Sequence, residues 1–130
     1  MTASFDYVTA FSRNLGWLTE TEQAVLRDRR IAIAGMGGVG GSHLLTLTRL
    51  GVGKFYIADF DVFELVNFNR QAGATLSHLG RPKVDVMAEM ALEINPELDI
   101  RCFPEGVNAD NLDDFLEGVD LYVDSLDFFA

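Results

Sequence analysis

Apolar and polar positions along the chain form blocks that predict strands followed by helices. Short segments rich in apolar residues predict strands at 31–34, 54–58, 98–103 and 119–123. The continuous apolar character of residues 54–58 suits a parallel strand that is covered on both faces. The intervening stretches with apolar residues at helical spacing are 40–50, 82–94 and 112–116. Strands that alternate with helices are typical of a parallel α/β sheet.

Two short helices are predicted ahead of this sheet. Residues 5–11 are weakly amphipathic. Thr19 is a preferred N-cap residue, and Glu20 and Glu22 follow it in the first turn, where acidic side chains favour a helix start. Together these features indicate a helical arm over residues 1–29.

A glycine-rich segment joins the first predicted strand to the helix that follows it. Gly35, Gly37 and Gly40 satisfy the pattern Gly-x-Gly-x-x-Gly, in which glycine allows a tight turn and a close approach of the backbone to a ligand. The start of the next helix offers N–H groups and a positive dipole end to phosphate. The segment predicts a nucleotide site, and alone it fits dehydrogenases, methyltransferases and ATP-using adenylating enzymes.

The expected fold class is therefore α/β, with a Rossmann-like, mostly parallel sheet flanked by helices and preceded by two N-terminal helices. We expect the nucleotide-binding domain to cover residues 30–130. Its last predicted strand, 119–123, reads as buried and stands close to the end of the chain. Because a domain seldom stops just after a core strand, we expect this domain to be truncated.

Polar side chains follow the predicted strands, where ligands of such sheets bind. Asp59 closes the second strand, nineteen residues after Gly40, a position at which an acidic residue commonly holds ribose hydroxyls. Arg and Lys can bind phosphate oxygens, and a carboxylate can hold Mg²⁺ together with phosphate. A triphosphate uses such groups, whereas a dehydrogenase has no evident need of them. The later members of the set are Asp61, Asn67, Arg70, Gln71, Lys83 and Asp127.

Charge and composition exclude several classes of function. Twenty acidic against ten basic residues give a net charge of −10, which argues against binding to nucleic acid or to an anionic membrane. The single cysteine, Cys102, has apolar neighbours and is expected to be a small buried hydrophobe. Since neither a signal peptide nor a transmembrane run is evident, we expect a cytoplasmic protein.

The motifs, taken in order, resemble the MoeB/ThiF family, the sulfur-carrier adenylyltransferases related to ubiquitin-activating enzymes. They are Gly-x-Gly-Gly-x-Gly, Asp-x-Asp, Asn-x-x-Arg-Gln, Gly-x-Pro-Lys and Asp-x-x-Asp, and they span residues 35–127. The resemblance implies that ATP and Mg²⁺ are used to adenylate the C-terminal glycine carboxylate of a ubiquitin-like or sulfur-carrier protein. It also implies a homodimer, and a C-terminal part of the family fold that is missing here.

The resemblance assigns roles to individual residues. The nucleotide would be held by Gly37, Gly38, Gly40, Asp59, Asp61, Asn67, Arg70, Gln71 and Lys83. Asp127 would bind Mg²⁺. Arg13 matches an N-terminal arginine of the family that reaches the phosphates of the partner subunit, so the catalytic set would be Arg13, Arg70, Lys83 and Asp127.

Two other functions stay open at this point. One is an NAD(P)-dependent oxidoreductase that uses the same glycine loop. The other is a non-catalytic member of the superfamily that binds a carrier protein. The set of Asn67, Arg70, Lys83 and Asp127 favours adenylation over the oxidoreductase. Arg70 and Lys83 also argue against the non-catalytic member, because a scaffold has no use for side chains that grip phosphate.

Overall fold

A computed structural model describes residues 4–126, which form helices around a four-stranded sheet. The strands are β1 (Arg30–Ala34), β2 (Lys54–Ala58), β3 (Asp99–Phe103) and β4 (Leu121–Asp124). The α-helices are α1 (Tyr7–Ala10), α2 (Glu20–Arg27), α3 (Gly38–Leu50), α4 (Lys83–Ile94) and α5 (Leu112–Leu116). Short 3-10 helices cover Ser12–Asn14, Leu65–Asn67 and Leu76–His78.

The sheet is parallel throughout, in the order β3-β2-β1-β4, which confirms the expected α/β fold. Ala34 at the end of β1 pairs with Ala58 of β2 on one side and with Asp124 of β4 on the other. The carboxyl ends of these three strands therefore meet at one edge. The segments that follow them are brought together there.

Helices cover both faces of the sheet. On one face, Leu44 of α3 and Met87 of α4 pack with Ile33 and Ile57 in the larger hydrophobic core. On the other face, Phe115 of α5 packs in a smaller cluster with alanines of β1 and β2. Small residues in the central strands allow α5 to lie close to the sheet.

The N-terminal arm covers the C-terminal end of α3. The Tyr7 hydroxyl donates a hydrogen bond to the carbonyl of Gly51 (2.6 Å). The side-chain amides of Gln23 and Asn14 both donate to the carbonyl of Leu50, at 2.9 and 3.0 Å. These bonds satisfy carbonyls that a helix end leaves without partners, so they fix the arm to that end of α3.

Several sequence predictions are confirmed and some are corrected. Thr19 caps α2 as predicted, whereas the first helix is shorter than residues 5–11 because Asp6 caps it. The last strand begins at Leu121 rather than at residue 119, and its first two side chains are exposed, not buried, because β4 lies at the edge of the sheet.

Two further observations bear on the expectations from composition. Cys102 is half-buried, and burial raises the pKa of its thiol to about 11, as expected for a packing residue rather than a nucleophile. Within residues 4–126, no helix combines the length and apolar character that a membrane span requires.

Candidate nucleotide site

The glycine loop is shaped by contacts that leave no room for side chains. Gly35 follows β1 with φ +97°, and a Cβ there would lie 2.5 Å from the carbonyl oxygen of Ser125. A Cβ on Gly40 would overlap the carbonyl oxygen of Gly35. The first turn of α3 therefore lies directly against the ends of β1 and β4. The free N–H groups at the start of this helix lie at the same carboxyl end of the sheet.

Asp59 ties the end of β2 to the glycine loop. Its Oδ2 accepts a hydrogen bond from the backbone N–H of Met36, and its Oδ1 accepts one from that of Asp61, both at 2.7 Å. Each carboxylate oxygen can accept a further bond, so the arrangement remains compatible with ribose binding. The hydrogen bond to Met36 gives Asp59 a second role, in holding the loop, which spacing alone did not indicate.

Lys83 is a buried cation, with only 5% of its surface exposed. Its backbone N–H donates to the carbonyl of Asp61 (3.0 Å), which places the side chain beside the loop after β2. Its ammonium lies 5.7 Å from the centre of the Phe63 ring. Within residues 4–126 no carboxylate forms an ion pair with it. Because an uncompensated buried charge is costly, this environment suits an anionic ligand.

The Asn-x-x-Arg-Gln motif supports the glycine loop from one side. A Cβ on Gly38 would lie 3.4 Å from Cγ of Arg70, and one on Gly37 would lie 3.4 Å from Nε2 of Gln71. Gln71 is buried, and its Oε1 has no hydrogen-bond partner in the described part of the chain. The motif thus packs against the nucleotide loop.

The side chains of Asn67 and Arg70 form hydrogen bonds with other residues of the segment 64–70. Oδ1 of Asn67 accepts from the backbone N–H of Glu64 (2.9 Å). Nη1 of Arg70 donates to the carbonyl of Val66 (3.0 Å) and to Oδ1 of Asn69 (3.1 Å). Arg70 is exposed, and the other N–H groups of its guanidinium can still donate to a ligand.

A cleft of about 130 Å³ lies at the carboxyl ends of the strands, and four of the predicted residues line it. The predicted residues that line it are Gly37, Asp59, Asp61 and Lys83. An adjoining hollow of about 270 Å³ adds Asn67. A larger hollow of about 560 Å³ between α1, α3 and α4 contains none of the predicted residues, so size alone would misplace the site.

Six described residues of the predicted set do not line this cleft: Asn67, which lines the adjoining hollow, Arg70 and Gln71, which pack against the loop, and Gly38, Gly40 and Arg13. Gly38 and Gly40 shape the loop beside it. Arg13 is exposed on the 3-10 helix Ser12–Asn14, beside Asn14, which binds the opposite end of α3. Asp127 lies outside the described residues, so its predicted role is not addressed by these contacts.

Ser125 belongs to the cleft although sequence reasoning did not select it. It follows β4, lines the cleft, and its buried Oγ has no hydrogen-bond partner among residues 4–126. Its place inside the Asp-x-x-Asp motif, directly after a predicted strand, was the signal that could have identified it. Side chains at such positions face the ligand edge of a parallel sheet.

The described carboxylates offer partial support for a magnesium site. Residues 4–126 contain no cluster of three or more His, Cys, Asp or Glu side chains suited to a metal. A nucleotide-bound Mg²⁺ uses only one or two carboxylates, with phosphate oxygens and water completing its coordination. Asp59 and Asp61 are the carboxylates that line the cleft, and they fit that smaller requirement.

The sequence matches the ThiF family over residues 11–130. The chain belongs to the ThiF family. A tRNA threonylcarbamoyladenosine dehydratase of Bacillus subtilis is 34% identical over 118 residues, which cover 90% of this chain and 46% of that protein. The adenylyltransferase and sulfurtransferase UBA4 of Scheffersomyces stipitis is 30% identical and covers 81% of this chain and 24% of its own length.

The ThiF-family fold is also matched by solved structures. The tRNA N6-threonylcarbamoyladenosine dehydratase TcdA of E. coli, crystallised with ATP, superposes with a TM-score of 0.90 at 29% identity, over 98% of this chain and 53% of that chain. This match confirms the Rossmann-like fold. The chain spans about half the length of the dehydratases it matches, or less.

Proposed function

We propose that this ThiF-family chain binds ATP with Mg²⁺ at the glycine loop and adenylates a carboxylate, with release of pyrophosphate. The observation that carries the proposal is Lys83, a buried residue that lines the cleft and has no ion-pair partner in residues 4–126. The phosphates of ATP would supply the missing countercharge. A nicotinamide dinucleotide has a pyrophosphate where ATP has a triphosphate, so it offers fewer phosphate oxygens to the neighbouring Asn67.

The reaction needs positioning and positive charge more than acid–base chemistry. A carboxylate that attacks the α-phosphorus of ATP is already ionised, so no general base is required. Because both reactants are anionic, the barrier falls when charge is neutralised along the phosphates. Lys83 and the N–H groups at the start of α3 would neutralise this charge, and bound Mg²⁺ would add to the effect. Asp59, Asp61 and Asp127 are the carboxylates we assign to the ribose and the metal.

We propose the C-terminal glycine carboxylate of a ubiquitin-like or sulfur-carrier protein as the acceptor. The net charge of −10 supports a protein acceptor, since binding to a phosphate backbone requires basic residues. A carboxylate on a modified tRNA nucleoside is the second candidate, because two of the relatives above are named for such a nucleoside. The expectation that no nucleic acid takes part therefore stays a prediction.

We also propose that Arg13 acts on the nucleotide of a second copy of the chain. Asn14, the next residue, binds the carbonyl of Leu50 at the C-terminal end of α3. The glycine loop lies at the other end, about 18 Å away along the helix axis. Arg13 is thus remote from the cleft of its own chain, which supports a homodimer in which each arm serves the partner's site.

The test is ATP–pyrophosphate exchange with a sulfur-carrier protein that ends in glycine, and in parallel with tRNA, as acceptor. Lys83→Met should lower the exchange rate by about 10²- to 10³-fold, the usual effect of losing one electrostatic donor. Lys54→Met is the matched control. Lys54 is the chain's other lysine, and it lies at the amino end of β2, away from the cleft at the carboxyl end. Near-normal exchange in Lys83→Met would refute the role proposed for this residue.

A further inference from the structure

Two buried polar atoms beside the glycine loop lack a hydrogen-bond partner among residues 4–126. Across those residues, the buried side-chain atoms without a partner are Nη1 of Arg30, Oε1 of Gln71 and Oγ of Ser125. Arg30 begins β1, at the amino end of the sheet, whereas Gln71 and Ser125 both lie against the glycine loop. Because a buried polar atom without a partner is costly and rare, two such atoms beside one loop indicate hydrogen bonds that a ligand completes.

Backbone contacts fix the position of Ser125. Its N–H donates to the carbonyl of Ala34 at the end of β1 (2.8 Å). A Cβ on Gly35 would lie 2.5 Å from the carbonyl oxygen of Ser125, and a Cβ on Gly40 would lie 3.2 Å from the Cβ of Ser125. The side chain is therefore held between the end of the sheet and the first turn of α3. A group that is fixed before the ligand arrives loses little conformational freedom on binding.

The first turn of α3 has backbone donors but no side-chain donor of its own. Residues 38–41 are three glycines and a valine, and the N-cap residue is Gly37. The free N–H groups and the positive dipole end of such a turn favour an anion. Ser125 packs against this turn and also lines the cleft. Its hydroxyl therefore adds a side-chain donor where the turn offers only backbone N–H groups.

We propose that the Ser125 hydroxyl donates a hydrogen bond to the α-phosphate of the bound nucleotide. The inference rests on the proposed function, in which ATP binds at the glycine loop. The α-phosphate is the phosphate next to the ribose, and Asp59, the proposed ribose ligand, is bonded to Met36 of the loop. Rotation about χ1 can redirect Oγ while the backbone stays fixed. Hydrogen bonds from hydroxyl groups to anionic oxygens are short and strong.

Binding of AMP and of adenosine tests this bond, measured beside ATP with Mg²⁺ by displacement of labelled ATP. Ser125→Ala should weaken the binding of ATP and of AMP about tenfold or more, as for the loss of a hydrogen bond to a charged group. Adenosine, which has no phosphate, should bind this variant and the wild type equally. Unchanged AMP affinity, or an equal loss for adenosine, overturns the proposal.

The matched control is Ser77→Ala. Ser77 is exposed on the 3-10 helix Leu76–His78 and does not line the cleft. This variant should bind all three ligands as the wild type does. An equal loss of AMP affinity in Ser77→Ala and Ser125→Ala would contradict a specific bond from Ser125.

Urea unfolding without nucleotide separates ligand binding from support of the fold. Ser125→Ala removes a buried hydroxyl that forms no hydrogen bond within residues 4–126, so the unfolding midpoint should stay equal to that of the wild type or rise. A lower midpoint would show that the hydroxyl supports the fold, which contradicts the proposal.

Ser125→Cys tests whether the hydroxyl or the volume of the side chain matters. The thiol fills the site but is only a weak donor, so this variant should also lose affinity for ATP and AMP. Wild-type affinity in Ser125→Cys would overturn the proposal.

The same measurements distinguish this inference from the proposed function. If the wild-type chain binds ATP and Ser125→Ala binds it equally well, the role of Ser125 fails and the proposed function stands. If the wild-type chain binds neither ATP nor AMP, the proposed function fails, and the inference that rests on it fails with it.

Discussion

At the scale of single residues, the glycines of the loop shape the site as much as its polar side chains do. The glycine loop is compatible with its neighbours because Gly40 has no Cβ to meet the carbonyl of Gly35. Gly37 differs, since a Cβ there would make an ordinary contact with Nε2 of Gln71 at 3.4 Å. Packing therefore requires glycine at position 40, whereas at position 37 it leaves room for a side chain.

Gly40→Ala should therefore destabilise the chain by about 3 kcal/mol, because the added methyl group meets backbone that cannot move aside cheaply. Gly37→Ala is the matched control and should change stability by less than about 1 kcal/mol. Urea unfolding followed by circular dichroism measures both. Equal stability of the two variants would show that the close approach of α3 to β1 is not as tight as described.

Sequence reasoning found the residue types of the site but not the direction in which each side chain points. Spacing placed Asp59 at the end of β2, as observed, yet its bond to Met36 depends on how the loop folds back. Arg70 is predicted to grip phosphate, and that role stays a prediction; its bonds to Val66 and Asn69 are a further feature that the motif did not indicate. Local hydrogen bonds of this kind depend on backbone geometry that a motif does not specify.

At the scale of elements, capping decides where the arm's second helix begins. Thr19 accepts a hydrogen bond from the backbone N–H of Glu22 (3.1 Å), and the Glu22 carboxylate accepts one from that of Thr19 (2.9 Å). This reciprocal pair satisfies two donors at the start of α2. It was predictable because both partners lie within four consecutive residues.

Thr19→Ala should lower the free energy of unfolding by about 1 kcal/mol, the usual loss for an N-cap residue. Thr21→Ala, an exposed change in the same first turn, removes no reported hydrogen bond and should be neutral or slightly stabilising through helix propensity. The comparison uses the same urea titration. A larger loss in Thr21→Ala than in Thr19→Ala would contradict the capping argument.

At the scale of the whole molecule, the topology accounts for the site. The order β3-β2-β1-β4 brings the segments after β1, β2 and β4 to one edge. Apolar patterning predicted the central strands well, because the runs of β1 and β2 are largely buried between the helices. The exposure of β4 was not predictable from its own residues, since it depends on what lies beside the strand in the sheet.

The central claim is that this edge is an ATP site completed by the buried cation of Lys83. Titration calorimetry of the chain with ATP and Mg²⁺, and separately with NAD, tests it most directly, with Lys83→Met and Lys54→Met alongside. We predict that ATP binds and NAD does not, and that only Lys83→Met weakens ATP binding, by tenfold or more. Binding of NAD without ATP, or unchanged ATP affinity in Lys83→Met, would contradict the claim.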